Sequence, residues 1–171
     1  PDEQGLTFTP GLPAQYYINT GTNGNFNAGQ LHSERIDNSI NFVGGLWDGA
    51  LPSDNPNGNS NFAVRWNGLI EAPVTGIVTF LGFHDDGARL YINDEEVFNN
   101  WSNQPASNYN SSGIFEMIEG QWYSINLEFY ENGGGDQIRL DWSYDGLPPL
   151  TIPAEYFFHQ ESSYHEVFID I

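Results

Sequence analysis

The chain of 171 residues carries 4 Lys+Arg against 23 Asp+Glu, a formal net charge of -19, and no cysteine. A negative field of that strength excludes nucleic acid and anionic membrane surfaces as partners, and disulfides take no part in the fold. An aromatic share of 15%, set in alternating runs, excludes a disordered acidic tail.

The length predicts one domain over 1–171 with a substantial core; its core spans about 11–160, with 161–171 as a terminal extension. No run approaches the roughly 18 apolar residues that a membrane span requires, so no membrane insertion is expected. The start lacks a basic region followed by an apolar stretch. Beginning at Pro1 without Met, the sequence reads as a module of a larger multidomain protein.

In chain order, Pro1 to Pro10 has no periodicity, and Gly11 to Ile18 follows as a first strand. Asn19 to Asn27 collects Asn, Gly and Thr, the composition of a loop. Ile36 to Phe42 predicts a short strand, with Leu46-Trp47 as a buried anchor beyond it. Pro52 to Ser60 is again loop chemistry. Asp54, Asn57 and Asn59 surround a glycine there, but the spacing departs from an EF-hand and no closing Glu follows, so the segment reads as a surface loop.

Regular strands begin at Phe62. Phe62, Val64 and Trp66 point one way while Ala63, Arg65 and Asn67 point the other. After a turn at Pro73 to Gly76, Ile77 to Phe83 is nearly continuously apolar, which predicts a strand covered on both faces. Arg89 to Ile92 resumes as a strand, Asn93 to Glu96 turns, and Val97-Phe98 starts the return. Asn99 to Gly113 reads as a long loop, a kind often functional in compact domains, and Ile114 to Ile118 as a short strand.

The clearest pair comes next. Tyr123, Ile125, Leu127 and Phe129 alternate with polar neighbours, and beyond Glu131 to Asp136 so do Ile138, Leu140, Trp142 and Tyr144. These predict two antiparallel strands joined by a glycine-rich tip. Leu147 to Phe158 is too proline-broken for a central strand and reads as an extended closing segment. Many short strands and no helical stripe predict an all-β sandwich or barrel. Trp66, Trp122 and Trp142 sit within the alternation and are expected in the core or on a sheet face.

One short stretch concentrates charge. Asp85 and Asp86, followed by Gly87, stand between two apolar runs at a strand end. The pattern admits two readings, a solvated turn or a pair of carboxylates held together by a hard cation such as calcium. His32, His159 and His165 lack zinc-type spacing.

Four blocks taken together resemble the PA14 domain family: FAVRWNG at 62–68, GFHDDGARLYIND at 82–94, GQWYSINLEFYENGGG at 120–135 and IPAEYF at 152–157. The resemblance implies a PA14-like β-sandwich or β-barrel with jelly-roll character. One branch of the family, the flocculin-like and bacterial adhesin lectin modules, binds sugars through calcium held by two neighbouring aspartates joined by a cis peptide. Those positions correspond to Asp85 and Asp86. The matching second loop runs from Asn132 to Gln137, where Asp136 ranks first as a further calcium ligand, with Gln137 and Asn132 behind it.

In that likeness Gly133, Gly134 and Gly135 act through backbone atoms and shape at the sugar side. Open positions on the cation accept vicinal sugar hydroxyls beside Asp85 and Asp86. From its position beside the pair, His84 reads either as a hydrogen-bond partner of a ligand hydroxyl or as a plain strand-end residue, and Trp101, with Tyr109, either as a ring that stacks on a sugar face or as loop packing. The implied function is a calcium-dependent carbohydrate-binding module of a secreted or cell-surface adhesin. It would bind cell-surface glycans or polysaccharides, and monosaccharides weakly. The alternatives are an accessory module of a glycosidase and a structural or protein-binding module. No catalytic residues are expected.

Overall fold

Alternation with a period of two dominates the molecule. The computed structural model of the chain describes residues 6–44, 47, 49–51 and 60–161. These form two antiparallel sheets. The larger contains β1 (Phe8–Pro10), β2 (Leu12–Ile18), β3 (Gln30–Asp37), β5 (Phe62–Glu71), β7 (Gly87–Ile92), β8 (Glu95–Asn100), β10 (Trp122–Glu131) and β13 (Phe157–Gln160). The smaller contains β4 (Asn41–Phe42), β6 (Gly76–Asp85), β9 (Ser111–Met117), β11 (Gln137–Ser143) and β12 (Leu150–Thr151).

The larger sheet runs β1-β13-β5-β10-β7-β8, and the smaller runs β12-β11-β6-β9. β2 shares one edge of β5 with β13, pairing Ala14 with Trp66 where β13 pairs Phe157 with Ile70. β3 then pairs with β2. β4 likewise shares an edge of β11 with β12. The inward residues of the central strands meet between the sheets, with Trp66, Phe62, Phe80, Phe129 and Trp142 fully buried. Burial of large aromatic faces dominates the stability of such a sandwich.

Several expectations change in detail. β6 alternates rather than being covered on both faces: Val78, Phe80, Gly82 and His84 are buried while Ile77 is 58% exposed. Its apolar run is continuous only because the outer face also carries Ile77, Leu81 and Phe83. β3 begins well before Ile36; as a polar strand, Gln-Leu-His-Ser-Glu-Arg-Ile-Asp, it has no apolar alternation to reveal it. Phe8–Pro10 and Phe157–Gln160 pair with each other, so the proline-broken closing segment ends in a strand inside the larger sheet. The Asn99 to Gly113 loop shortens to 101–110 between β8 and β9.

Trp66 and Trp142 lie in the core. Trp122 does not: it is 40% exposed, stacked on Phe158 with its indole N–H donated to Glu71. Most of the 52–60 loop, including Asp54, Asn57 and Asn59, lies outside the described residues, as do Leu46 and 162–171.

At one end of the sandwich the chain changes sheet three times. It passes from β6 to β7 through Asp86 alone, from β8 to β9 through 101–110, and from β10 to β11 through 132–136. Side by side, these three passages build the site.

Candidate metal centre at the sheet crossovers

Asp85 is the last residue of β6 and lies opposite Gln137, the first of β11. On the other side of the crossover Gly87 opens β7 opposite Tyr130 of β10. The two crossovers are therefore fixed to each other in both sheets. The Asp85-Asp86 peptide bond is cis, as the family resemblance implies.

Asp86 is 5% exposed and held at four points. Its N–H donates to Tyr130 O at 3.3 Å. Its carbonyl oxygen meets His84 Nδ1 at 2.7 Å. Its carboxylate Oδ1 accepts the Gln104 N–H, and Oδ2 the Asn132 N–H, each at 2.8 Å. Backbone donors from two different crossovers thus aim one carboxylate. Burial raises the pKa of Asp85 above the usual carboxylate range, the Ala106 N–H works against that, and the negative charges of Asp86 and Asp136 add to it.

A third carboxylate joins these two. Glu131 closes β10 and is fully buried, with neither oxygen in hydrogen-bond geometry with any partner among the described residues. Asp85, Asp86 and Glu131 each offer an oxygen within 4.8 Å of the others. Burial first, then the charges of Asp86 and Asp85, push the Glu131 carboxyl up to about 9, opposed by the nearby Gly133 N–H, which stands outside hydrogen-bond geometry. Burial, then the charges of Asp86 and Glu131, push the Tyr130 hydroxyl up to about 12. Among the described residues, the ion pairs of the four arginines go to Asp37, Glu128 and Asp141, none of them in this trio.

A buried carboxylate without a partner is costly, and three together form a donor set suited to a hard cation. The donor set fits a hard cation such as calcium, which Asp85, Asp86 and Glu131 would hold through their carboxylates. Asp85 and Asp86 border an open depression that Asn103, Gln104, Pro105, Asn132 and Gly133 to Gly135 complete, with Glu131 buried behind them. Gly135 eases close approach, since a Cβ there would stand 3.2 Å from Asp85 Oδ2 and that carboxylate would have to give by a few tenths of an ångström.

The remaining residues singled out from the sequence fall into two groups. Asn132 and Gly133 to Gly135 line the depression, Asn132 contributing its main-chain N–H to Asp86. Gln137 faces Asp85 across the β6–β11 register, and such partners share one sheet face. Asp136 lies outside the tight trio. It shares the phase of Ile138 and Leu140, pointing toward the core end, where its Oδ2 accepts the Trp47 indole N–H at 3.0 Å.

His84 does not line the depression. It is 0% exposed, and its second ring nitrogen lies 2.7 Å from Ser111 Oγ. Trp101 is also engaged elsewhere. Its ring sits under the Arg89 guanidinium at 4.1 Å and against Tyr130 at 4.7 Å, and its N–H is given to Asn23 O. Tyr109 donates its hydroxyl to Asp141 at 2.6 Å. Both rings are packing elements, because loop aromatics find guanidinium and ring faces within the protein.

Glu131 is the residue that pattern reading missed. Extending the alternation of Ile125, Leu127 and Phe129 by one step places it on the buried face, a signal present in the sequence. Gln104 and Ala106 contribute through main-chain N–H groups, which residue type does not reveal.

A family model of the PA14 domain matches residues 9–155. Anti-sigma-I factor RsgI3 of Acetivibrio thermocellus is 32% identical over 148 residues, covering 86% of this chain and 21% of that protein, so the chain spans about a fifth of its relative's length. The solved structure of an anti-sigma factor domain-containing protein superposes with a TM-score of 0.74 at 25% identity, covering 90% of this chain and 48% of that one. A PA14 sugar-binding domain from an RTX adhesin superposes at 0.69 and 20% identity, covering 88% and 99% of the two chains; at that identity the likeness is one of fold. The match over residues 9–155, on a two-sheet fold whose crossovers carry the cis Asp85-Asp86 pair, places this chain in the PA14 domain family.

Proposed function

We propose that this chain is a calcium-dependent carbohydrate-binding module, and that Asp85, Asp86 and Glu131 hold the calcium at its sugar-facing end. The observation that carries the reading is the buried, partnerless Glu131 carboxylate beside two further carboxylates at an open depression. Bound calcium supplies six to eight oxygen positions, and those the protein leaves open suit a pair of vicinal sugar hydroxyls. Asn132 and Gln104 keep Asp86 aimed through their main-chain N–H groups. The glycines at 133–135 leave the mouth free of side chains, and Asn103 and Pro105 form the opposite rim.

Binding suits this geometry better than hydrolysis. Glycoside hydrolysis needs two carboxyl groups flanking a glycosidic bond, whereas Glu131 is fully buried, Asp86 is 5% exposed, and both converge with Asp85 on one point. The RTX adhesin neighbour is named as a sugar-binding domain, which supports an extracellular or cell-surface role. The 32% identical relative, named an anti-sigma-I factor, makes a regulatory protein a second kind of parent, in which glycan binding would serve sensing instead of adhesion.

The test is titration of galactose, mannose, glucose and fucose, and of soluble polysaccharides, by calorimetry or NMR in millimolar calcium and again in excess chelator. Weak binding to at least one sugar that disappears with chelator is expected. Binding that survives chelation, or no response to any sugar in calcium, overturns the reading.

A further inference from the structure

Resting on the calcium site proposed above, we infer that His84 is its positioning residue: a buried imidazole strut that fixes Asp86, and with it the 101–110 rim, from behind. Asp86 is the single residue between β6 and β7. A lone crossover residue has no strand pairing of its own on its carbonyl side, and in this chain the Asp86 carbonyl oxygen is met by the His84 ring at 2.7 Å.

Chemistry fixes the roles of the two ring nitrogens. A carbonyl can only accept, so Nδ1 carries the hydrogen and donates to Asp86 O. Nε2 of the neutral ring then accepts the hydroxyl hydrogen of Ser111, the first residue of β9. The ring is thereby tied to the smaller sheet on one side and to the metal-facing carboxylate residue on the other. It also stacks on Phe98, which limits its tilt.

The His84 main chain is held as firmly. Asn110 uses its whole side-chain amide on it: Oδ1 accepts the His84 N–H at 3.1 Å, and Nδ2 donates to the His84 carbonyl at 2.7 Å. Asn110 ends the same 101–110 passage whose Gln104 N–H holds the Asp86 carboxylate. Asn100 closes the passage on itself, donating to Gln104 Oε1 and to Asn110 O, each at 2.9 Å. One connected set of bonds therefore runs from His84 through Asp86 and Gln104 to Asn110 and back. Moving the Asp86 carbonyl moves the carboxylate and the rim together. Groups behind metal ligands typically change metal affinity by about 10- to 100-fold when removed.

The test compares wild type with His84→Leu, His84→Asn and His84→Gln. An Asn amide N–H replaces Nδ1 on the Asp86 carbonyl, and a Gln side chain reaches only toward Ser111. Calcium dissociation constants are read by calorimetry, and melting temperatures are read in chelator. The expected result is a loss of tenfold or more in calcium affinity for His84→Leu, largely restored in His84→Asn and not in His84→Gln. The chelated melting temperatures of the three variants should not follow that order. Equal calcium affinity in wild type and all folded variants overturns the positioning role alone, as does affinity that simply tracks chelated melting temperature. If His84→Leu does not fold, His84→Asn against His84→Gln decides by the same order. Absence of calcium binding in wild type overturns the site itself, and the role falls with it.

Discussion

Glu131 is where the electrostatics of the chain are least favourable and most informative. Its carboxyl, near 4.5 in an unfolded chain, is pushed up to about 9 by burial and by Asp86 and Asp85. Without calcium the folded protein therefore keeps a proton on Glu131 between those two values, while the unfolded chain has lost it. The contribution is whole below about 4.5 and gone above about 9, so stability falls as pH rises, by up to about 1.4 kcal/mol per pH unit for one proton. Denaturant melts at pH 5, 7 and 9 in chelator should show wild type losing stability relative to Glu131→Gln as pH increases. A difference that stays constant with pH would count against the buried, partnerless state of this carboxyl.

The same substitution should act in the opposite sense once calcium is present. Removing a charged ligand weakens the cation's hold, so Glu131→Gln should show a smaller calcium-induced rise in melting temperature than wild type. Asp86→Asn should behave similarly and more strongly, because its carboxylate is already aimed by Gln104 and Asn132. An unchanged rise in both variants would remove these residues from the ligand set.

At the scale of elements, the site exists because β6, β8 and β10 all leave their sheets at the same end. That requires β8 and β9, in different sheets, to approach closely, and Gly113 permits it: a Cβ there would overlap the Val97 carbonyl oxygen. Gly113→Ala should lower stability by about 3 kcal/mol through overpacking against backbone. Gly120→Ala, at a φ of +75 with open space around it, should cost only about 1 kcal/mol for its left-handed backbone. Denaturant melts of the two variants check the order, and equal losses would contradict the close approach.

The element scale also shows what the sequence makes legible. β5, β7, β10 and β11 are readable because one face of each is buried and their side chains alternate accordingly. β3 is not, because its contacts are polar, with Asp37 buried and accepting from Tyr16, Trp66 and Arg35. The Asp85-Asp86 pair is readable as a charge anomaly and becomes specific only beside the glycine-rich tip. Asp136 looks like the better third ligand by proximity to the glycines, whereas its Oδ2 is engaged with the Trp47 indole and Glu131 is the carboxylate that stands tightest with the pair. Trp101 reads as a sugar platform because aromatic loop residues often are, and only the three-dimensional placement of Arg89 and Tyr130 shows its faces in use.

Across the whole molecule, a net charge of -19 opposes compaction, and simple salt should relieve part of that repulsion. Melting temperature should rise from low salt to about 0.15 M NaCl, where the screening length is about 8 Å. Millimolar calcium should add a further rise that magnesium at equal ionic strength does not reproduce, since magnesium demands near-octahedral geometry and gives up its waters reluctantly. Equal effects of the two ions would point to surface screening alone. A stabilising response to calcium does not by itself establish sugar binding, because any ion bound only to the native state stabilises it.

A crystal structure grown in calcium with a bound monosaccharide or disaccharide decides the central claim. The account predicts one calcium with oxygens of Asp85, Asp86 and Glu131 at about 2.3–2.6 Å, and two neighbouring sugar hydroxyls on its open side between Asn103 and Gly134. A sugar bound away from the ion, or calcium absent from these three carboxylates, would contradict it.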